Sequence, residues 1–182
     1  AAGVFADEGM WTFDNVPRGE ISKKYGVQLN DDWLHHLQGS VVRLSGCTGS
    51  LVSSDGLVLT NHHCAASCLA ENSTPQRDLL ADGFIADRRE QEIRCQNEQI
   101  SVLMDTQNVT ADVTRAVAGA QAADATRTRN QILTNLEQRC ETDAKQAGQP
   151  RKCEAVTLYQ GGQYWLYKYK RYDDVRVAFA PE

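Results

Sequence analysis

Two neighbouring stretches decide the fold of this chain, Cys47-Thr48-Gly49-Ser50-Leu51-Val52 and Gly56-Leu57-Val58-Leu59-Thr60-Asn61-His62-His63-Cys64. Each contains a short run of strand-favouring residues, and the Ser53-Ser54-Asp55-Gly56 segment between them is typical of a tight hairpin turn. The second run ends on two adjacent histidines, and neighbours on a strand point to opposite faces. His62 and His63 therefore cannot both face one cleft, and the sequence predicts one candidate catalytic imidazole at a strand end.

The chain on either side of this hairpin changes in composition several times, yet it has no Gly- or Ser-rich linker that would divide it. Residues 71–98 are polar and charged and are expected to form an excursion with one or two helical turns. A helical insertion is predicted because its apolar residues recur at helical spacing and Gly148 and Pro150 follow as stops, with a break near 119–124. We predict a mainly β fold with this insertion, in one domain of four parts: an N-terminal segment with short helices (about 1–38), strands that carry the histidines (39–109), the helical insertion (110–150) and further strands (151–182).

Charge and cysteine content narrow the class of function and the compartment. The net charge is -5 in 182 residues, so no basic face is expected, and we predict neither nucleic-acid nor membrane-surface binding. No apolar run approaches the ~20 residues that span a bilayer, which predicts a soluble chain. Six cysteines without a Cys-x-x-Cys pair favour an oxidising compartment, so a periplasmic or secreted protein is expected.

A metal site is the first alternative for the histidine pair. Its ligands would be His62, His63, Cys64 and Cys68, but their spacing does not match the usual Cys-x2-4-Cys or His-x3-5-His patterns. We therefore expect no metal ion at these residues. A second alternative is an ordinary core or surface histidine pair without any chemistry, and for an isolated His-His this is the more common case.

A resemblance to known enzymes favours a catalytic histidine over these two alternatives. Trypsin-like enzymes place one cysteine just before a Gly-Ser-Leu strand and another directly after the catalytic histidine, and Cys47 and Cys64 bracket the same elements here. More specifically, the chain resembles the bacterial dipeptidyl peptidases 7 and 11, serine exopeptidases with a chymotrypsin-like double β-barrel. The resemblance covers nearly the whole chain in order: Glu8-Gly9-Met10-Trp11, the block from Gly46 to Cys64, Asn72-Ser73-Thr74 with Asp78 to Phe84, and Tyr164 to Pro181.

The resemblance implies that His63 is the catalytic base, since its position is the one that a Cys47–Cys64 bridge would determine, and that His62 packs beside it or supports the groups that contact it. It leaves Cys68 with Cys95 and Cys140 with Cys153 as two further bridges. The chain would be the N-terminal part of a chymotrypsin-like double β-barrel peptidase, with the triad's Asp and Ser beyond Glu182. Asp55, Asp105 and Asp174 lie in turns or at strand ends, where a solvated or capping role is far more common than a triad role.

The activity that the resemblance implies is release of dipeptides from the free N-terminus of peptide substrates, by a homodimer in the full-length enzyme and with no metal or organic cofactor. The alternative is a catalytically inert peptide-binding or structural module that keeps a peptidase-like scaffold. Where related enzymes continue the His-His-Cys block with a Tyr-Gly segment, this chain has Ala65-Ala66-Ser67-Cys68-Leu69. The sequence therefore does not indicate whether an apolar or an acidic residue is preferred before the cut.

Overall fold

The computed structural model describes Gly9, residues 11–119 and residues 121–181, so Glu8 and Met10 of the quoted N-terminal motif lie outside the described residues. In chain order the helices are α1 (Arg18–Tyr25), α2 (Asp31–Ser40), α3 (His62–Asn72), α4 (Thr110–Val117) and α5 (Ala122–Gln146). The strands are β1 (Val41–Arg43), β2 (Thr48–Leu51), β3 (Val58–Leu59), β4 (Phe84–Ile85), β5 (Ile93–Arg94), β6 (Ile100–Asn108), β7 (Lys152–Leu158), β8 (Gln163–Tyr172), β9 (Arg176–Val177) and β10 (Phe179–Ala180). Two short 3-10 turns complete the list, Arg89–Gln91 and Tyr159–Gly161.

The chain forms two compact units, Ala1–Gln38 and Gly39–Glu182. The first unit contains α1 and most of α2. Gly26 ends α1 in the left-handed conformation (φ 69°), which glycine adopts without steric cost. The Asn30 side chain accepts a hydrogen bond of 2.8 Å from the Trp33 backbone N–H at the start of α2. The grouping of all 182 residues in one domain stays a prediction.

The second unit is built on a six-stranded antiparallel sheet in the order β3-β2-β1-β6-β8-β7. The register of β6 on β8 shifts between Leu103 and Asp105, so Met104 forms a bulge, a feature that bends and twists a strand. Arg43 of β1 donates to both carboxylate oxygens of Glu154 in β7, at 2.8 and 2.6 Å. Three strand spacings of about 4.8 Å separate β1 from β7 and side chains stand roughly perpendicular to a sheet, so this contact indicates a concave face.

The helical insertion packs on the β7 and β8 side of the sheet. Its core consists of Val109, Val113, Cys153, Tyr164 and Leu166, with one face of α5 packed against it. Helix α4 ends at Val117 and α5 begins at Ala122, so the break overlaps the predicted region, and Gly119 has a left-handed φ of 82° there. None of the described helices is both long and apolar enough to cross a membrane.

A second core lies around α3 and corrects the expectation for residues 71–98. This segment contains the expected helical turn, at Arg89–Gln91, and also the strands β4 and β5, which the sequence did not predict. The two strands pair with β10 and β9, more than 80 residues later in the chain. The shared core is formed by Cys68, Leu69, Leu79, Phe84, Cys95, Val177 and Ala180. Two-residue strands are too short to show an alternating pattern, so only the distant pairing defines them.

Candidate active site

The β2–β3 hairpin positions the residues that lead into the two histidines. Gly49 of β2 lies so close to β3 that a Cβ atom at this position would be 2.9 Å from the Leu59 carbonyl oxygen and 2.9 Å from Val58 Cγ1. Such distances are shorter than normal carbon contacts, so only glycine allows this approach. At the end of β3 the Thr60 hydroxyl donates a hydrogen bond of 2.8 Å to the Thr48 carbonyl oxygen. The hairpin therefore fixes the backbone up to Thr60.

Helix α3 begins directly after this anchor, and here the structure corrects the expectation of a strand end. Asn61 is the N-cap with extended backbone (φ -80°, ψ 150°), and its carbonyl oxygen accepts a bond of 3.0 Å from the Cys64 N–H. His62 and His63 are therefore the first two residues of a helix, where neighbours are separated by about 100° rather than 180°. The argument from opposite strand faces does not apply. What distinguishes the two histidines is their distance from the neighbouring disulfide.

The Cys47–Cys64 disulfide joins the chain before β2 to the first turn of α3, with its Cα atoms 6.0 Å apart. The His63 Nε2 atom lies 3.6 Å from Cys47 Sγ, and the His63 side chain is exposed. The other two disulfides are Cys68–Cys95 and Cys140–Cys153, so the structure pairs the same cysteines as the sequence analysis did. The disulfide of the adjacent Cys64 thus fixes the backbone beside His63, and the ring contacts Cys47, whereas no contact of the His62 ring with this bridge occurs among the described residues.

No carboxylate of the described residues hydrogen-bonds to His63. Asp105 instead binds the Lys168 ammonium at 2.8 Å. Asp174 accepts two bonds of 3.0 Å from Arg176, which lower the pKa of that carboxyl. Asp55 lies in the turn between β2 and β3. These three acidic residues therefore do not orient the imidazole in this structure, and the role of His63 as base stays a prediction.

The side chains that could hold a metal are not the set considered from the sequence. Among the described residues one group of three potential ligands occurs, Cys47, His63 and Cys64, whose ligand atoms all lie within 4.8 Å of one another. Both sulfurs are used in the disulfide, and Cys68 is bonded to Cys95, so the oxidised chain presents no thiolate here. What remains is one exposed imidazole, which can accept or donate a proton.

Sequence reasoning missed two residues that support this site, Gly49 and Thr60. The Gly-Ser-Leu and Thr-Asn elements were visible as motif letters, but the close strand approach and the hydroxyl-to-carbonyl bond need the hairpin register. A glycine inside a predicted strand is the available signal, since it often marks a close approach of another backbone.

Proteins of known function resemble the chain over nearly its whole length. Dipeptidyl-peptidase 7 of Porphyromonas endodontalis is 32% identical over 98% of this chain and 22% of its own length. An Asp/Glu-specific dipeptidyl-peptidase of Shewanella putrefaciens is 31% identical over 97% of this chain and 24% of its own length. The chain thus spans about a quarter of the length of these curated relatives.

Solved structures agree with the sequence relatives. The crystal structure of Porphyromonas endodontalis DPP11 in complex with the dipeptide Arg-Glu matches with a TM-score of 0.80 at 28% identity, covering 97% of this chain and 26% of that one. The complex of the same protein with substrate gives a TM-score of 0.79 at 27% identity. The predicted fold class is thereby confirmed, because the sheet with its helices matches part of a chymotrypsin-like peptidase fold. The sequence profile of the Peptidase S46 family matches residues 6–182, and the chain therefore belongs to that family.

Proposed function

We propose that this chain is the part of a serine-type dipeptidyl-peptidase that supplies the catalytic base, His63, for release of dipeptides from the N-terminus of peptides. The observation that carries the proposal is the placement of His63: an exposed imidazole in the first turn of α3, next to the Cys47–Cys64 bridge, in a member of the S46 family. The names of the relatives, dipeptidyl-peptidase 7 and Asp/Glu-specific dipeptidyl-peptidase, support the reaction class.

In this reaction the His63 imidazole takes the proton of a serine hydroxyl as that oxygen attacks the peptide carbonyl carbon. The same proton is then given to the nitrogen of the leaving peptide when the C–N bond breaks. The bridge and the Thr60 hydrogen bond hold the backbone on either side of His63, so little reorganisation of this segment is needed at the moment of transfer. The serine and the orienting aspartate belong, in this proposal, to the three quarters of the relatives that the chain does not span.

The preferred residue before the cut is not part of the proposal. Relatives named for Asp/Glu specificity and relatives named dipeptidyl-peptidase 7 match at similar identity, 31% and 32%. Substrates of both kinds therefore belong in the assay.

The test compares His63→Gln with His62→Gln in a polypeptide that joins this chain to the remaining part of an S46 peptidase. Glutamine keeps hydrogen-bonding capacity but cannot act as a base near neutral pH. We expect His63→Gln to lower kcat for a dipeptide nitroanilide by on the order of 10⁴-fold or more, as for other triad histidines. His62→Gln should lower it less than about tenfold, since this ring does not contact the bridge. Equal activity of His63→Gln and the unmodified enzyme would refute the assignment.

Location and assembly are proposed on separate grounds. Three disulfides, which leave none of the described cysteines free, support a periplasmic or extracellular site, because cytosolic thiols are kept reduced. Cell fractionation with a cytosolic marker measures this directly. A homodimer of the full-length enzyme stays a prediction, and light scattering of that enzyme will show its mass.

A further inference from the structure

The Cys47–Cys64 bridge and His63 bring together three side chains that could bind a metal ion if the disulfide were reduced. Cys47 Sγ, Cys64 Sγ and a nitrogen of His63 lie within 4.8 Å of one another, and the Cys47 Sγ to His63 Nε2 distance is 3.6 Å. A tetrahedral zinc ion with Zn–S of 2.3 Å and Zn–N of 2.0–2.1 Å requires a sulfur-to-nitrogen edge of about 3.6 Å. One edge of a Cys2His coordination tetrahedron is therefore already present.

The second edge requires the disulfide to open. Two zinc-bound thiolates are about 3.8 Å apart, so the sulfurs would have to separate by about 1.7 Å from bonding distance. The Cα atoms of Cys47 and Cys64 are 6.0 Å apart, and rotation of the two side chains about their Cα–Cβ bonds provides this separation. The hairpin and its Thr60 hydrogen bond continue to hold both ends of the site, because neither involves the sulfurs.

Burial favours opening of this bridge before the other two. Cys47 and Cys64 are both partly exposed. Cys68 and Cys95 are both buried in the core around α3, with 7% and 4% of their surface exposed, whereas the third bridge joins one buried cysteine, Cys153, to one partly exposed cysteine, Cys140. Thiol–disulfide exchange requires a thiolate to reach a disulfide sulfur, so the bridge with two partly exposed cysteines is the most accessible of the three.

We propose that Cys47, Cys64 and His63 form a redox-gated zinc site. A dithiol reductant transfers two electrons and two protons to the Cys47–Cys64 bond and becomes a disulfide itself, leaving two protein thiols. Zn²⁺ then displaces the two thiol protons to solvent and binds both thiolates and the neutral imidazole, with water or another small ligand in the fourth position. The oxidised chain lacks the two thiolates, so at this site it offers zinc only the His63 imidazole.

The consequence for catalysis rests on the proposed function. A His63 nitrogen that is bonded to zinc cannot take a proton from a serine. Reduction in the presence of zinc would therefore switch off dipeptide release, and reoxidation after chelation would restore it.

The test uses Co²⁺ as a spectroscopic substitute for Zn²⁺, because four-coordinate cobalt with thiolate ligands has intense visible and near-ultraviolet bands. The chain is treated with limited dithiothreitol, desalted without oxygen and titrated with Co²⁺ and then Zn²⁺. Alkylation and peptide mapping identify the opened bridge, and far-ultraviolet circular dichroism follows the fold. We expect one metal per chain, bands only after reduction, and alkylation confined to Cys47 and Cys64.

Two matched variants show whether zinc binding requires His63 or only the two thiolates. His63→Gln should weaken zinc binding by more than about 100-fold, since even residues that only support a ligand contribute 10–100-fold. His62→Gln, one position away, should leave the affinity within about twofold of the unmodified chain. The proposal is overturned if the reduced chain shows no cobalt–thiolate bands, if His63→Gln binds as tightly as the unmodified chain, if another bridge opens first, or if opening this bridge unfolds the chain. The metal site and the role of His63 as base can fail separately. If His63 is not the base, the reduced chain still shows the cobalt–thiolate bands, but zinc added to the reduced joined polypeptide leaves dipeptide release unchanged.

Discussion

Replacement of Gly49 by alanine tests whether the close approach of β2 and β3 fixes the chain that leads to His63. The new Cβ would be 2.9 Å from the Leu59 carbonyl oxygen, 2.9 Å from Val58 Cγ1 and 3.3 Å from Leu44 Cδ1. A valine methyl group can rotate away, but the carbonyl oxygen is backbone. The two strands therefore have to separate, and Leu59 lies only four residues before His63.

The change in the free energy of unfolding of Gly49→Ala is the difference between two opposing contributions. Overpacking of this kind costs about 1–3 kcal/mol, and the smaller conformational freedom of alanine in the unfolded chain returns about 0.4–1 kcal/mol, so the midpoints leave a net loss of about 1.3 kcal/mol. For a chain of this size each kcal/mol corresponds to about 2–4 °C, so Tm should fall by about 3–5 °C. Gly46→Ala is the matched control, since a Cβ there meets nothing within 4 Å and its φ is not left-handed.

The assay is urea unfolding of both variants with the disulfides intact, followed by tryptophan fluorescence. Gly46→Ala should be unchanged or more stable by up to about 1 kcal/mol. In the joined polypeptide, Gly49→Ala should also lower dipeptide release more than Gly46→Ala does, because the strand shift reaches the base. Equal stability of the two variants would contradict the assigned role of Gly49.

Two further predictions concern the same sheet. The Arg43 guanidinium hydrogen-bonds to Glu154 and holds the pKa of that carboxyl below its ordinary value. A carboxyl whose pKa is lower in the folded than in the unfolded chain stabilises the fold at pH values above the unfolded pKa. This stabilisation is lost as pH falls below about 4.3. The stability difference between the unmodified chain and Glu154→Gln, measured by urea unfolding, should therefore be constant at pH 5–7 and shrink below pH 4.3; a difference that stays constant through pH 4.3 would contradict this. Thr60→Val removes the hydrogen bond to Thr48 and should lower the free energy of unfolding by about 1 kcal/mol. The control is Thr157→Val, at an exposed position of β7. An equal loss of stability in both variants would refute the role of the Thr60 hydrogen bond in anchoring the end of β3.

Elements with a long, regular pattern were predictable from the sequence. Strand β8 (Gln163–Tyr172) alternates clearly, with Tyr164 and Leu166 buried, and it lies in the segment 151–182 that the sequence predicts to form strands. In strand β6 only the first half, residues 100–104, has a strand-favouring composition, because the second half, Asp105 to Asn108, is polar. Backbone pairing with β8 extends that half in spite of its composition, which shows that a distant partner can override local propensity.

The candidate site was predictable in its residues but not in its geometry. The apolar run before His62 suggested a strand end, yet Asn61 is a good N-cap residue and Ala65, Ala66 and Leu69 favour a helix. These signals were present and were outweighed by the strand pattern. By contrast, the 3.6 Å contact of His63 with Cys47 depends on where α3 starts relative to β2, and no sequence pattern encodes that distance.

The arrangement around His63 provides a positioned imidazole, and in the proposed reaction the nucleophile and the orienting acid come from other residues. Three links, namely the close approach at Gly49, the Thr60 hydrogen bond and the Cys47–Cys64 bond, tie the segment around His63 to β2 or the residue before it. The imidazole itself is exposed and contacts only a sulfur among the described polar groups. A base used in proton transfer needs a fixed ring and free hydrogen-bonding positions for the acid, the nucleophile and the leaving group. The same combination of a fixed ring and free positions would let zinc compete for His63 once the bridge opens, so one local geometry underlies both proposals.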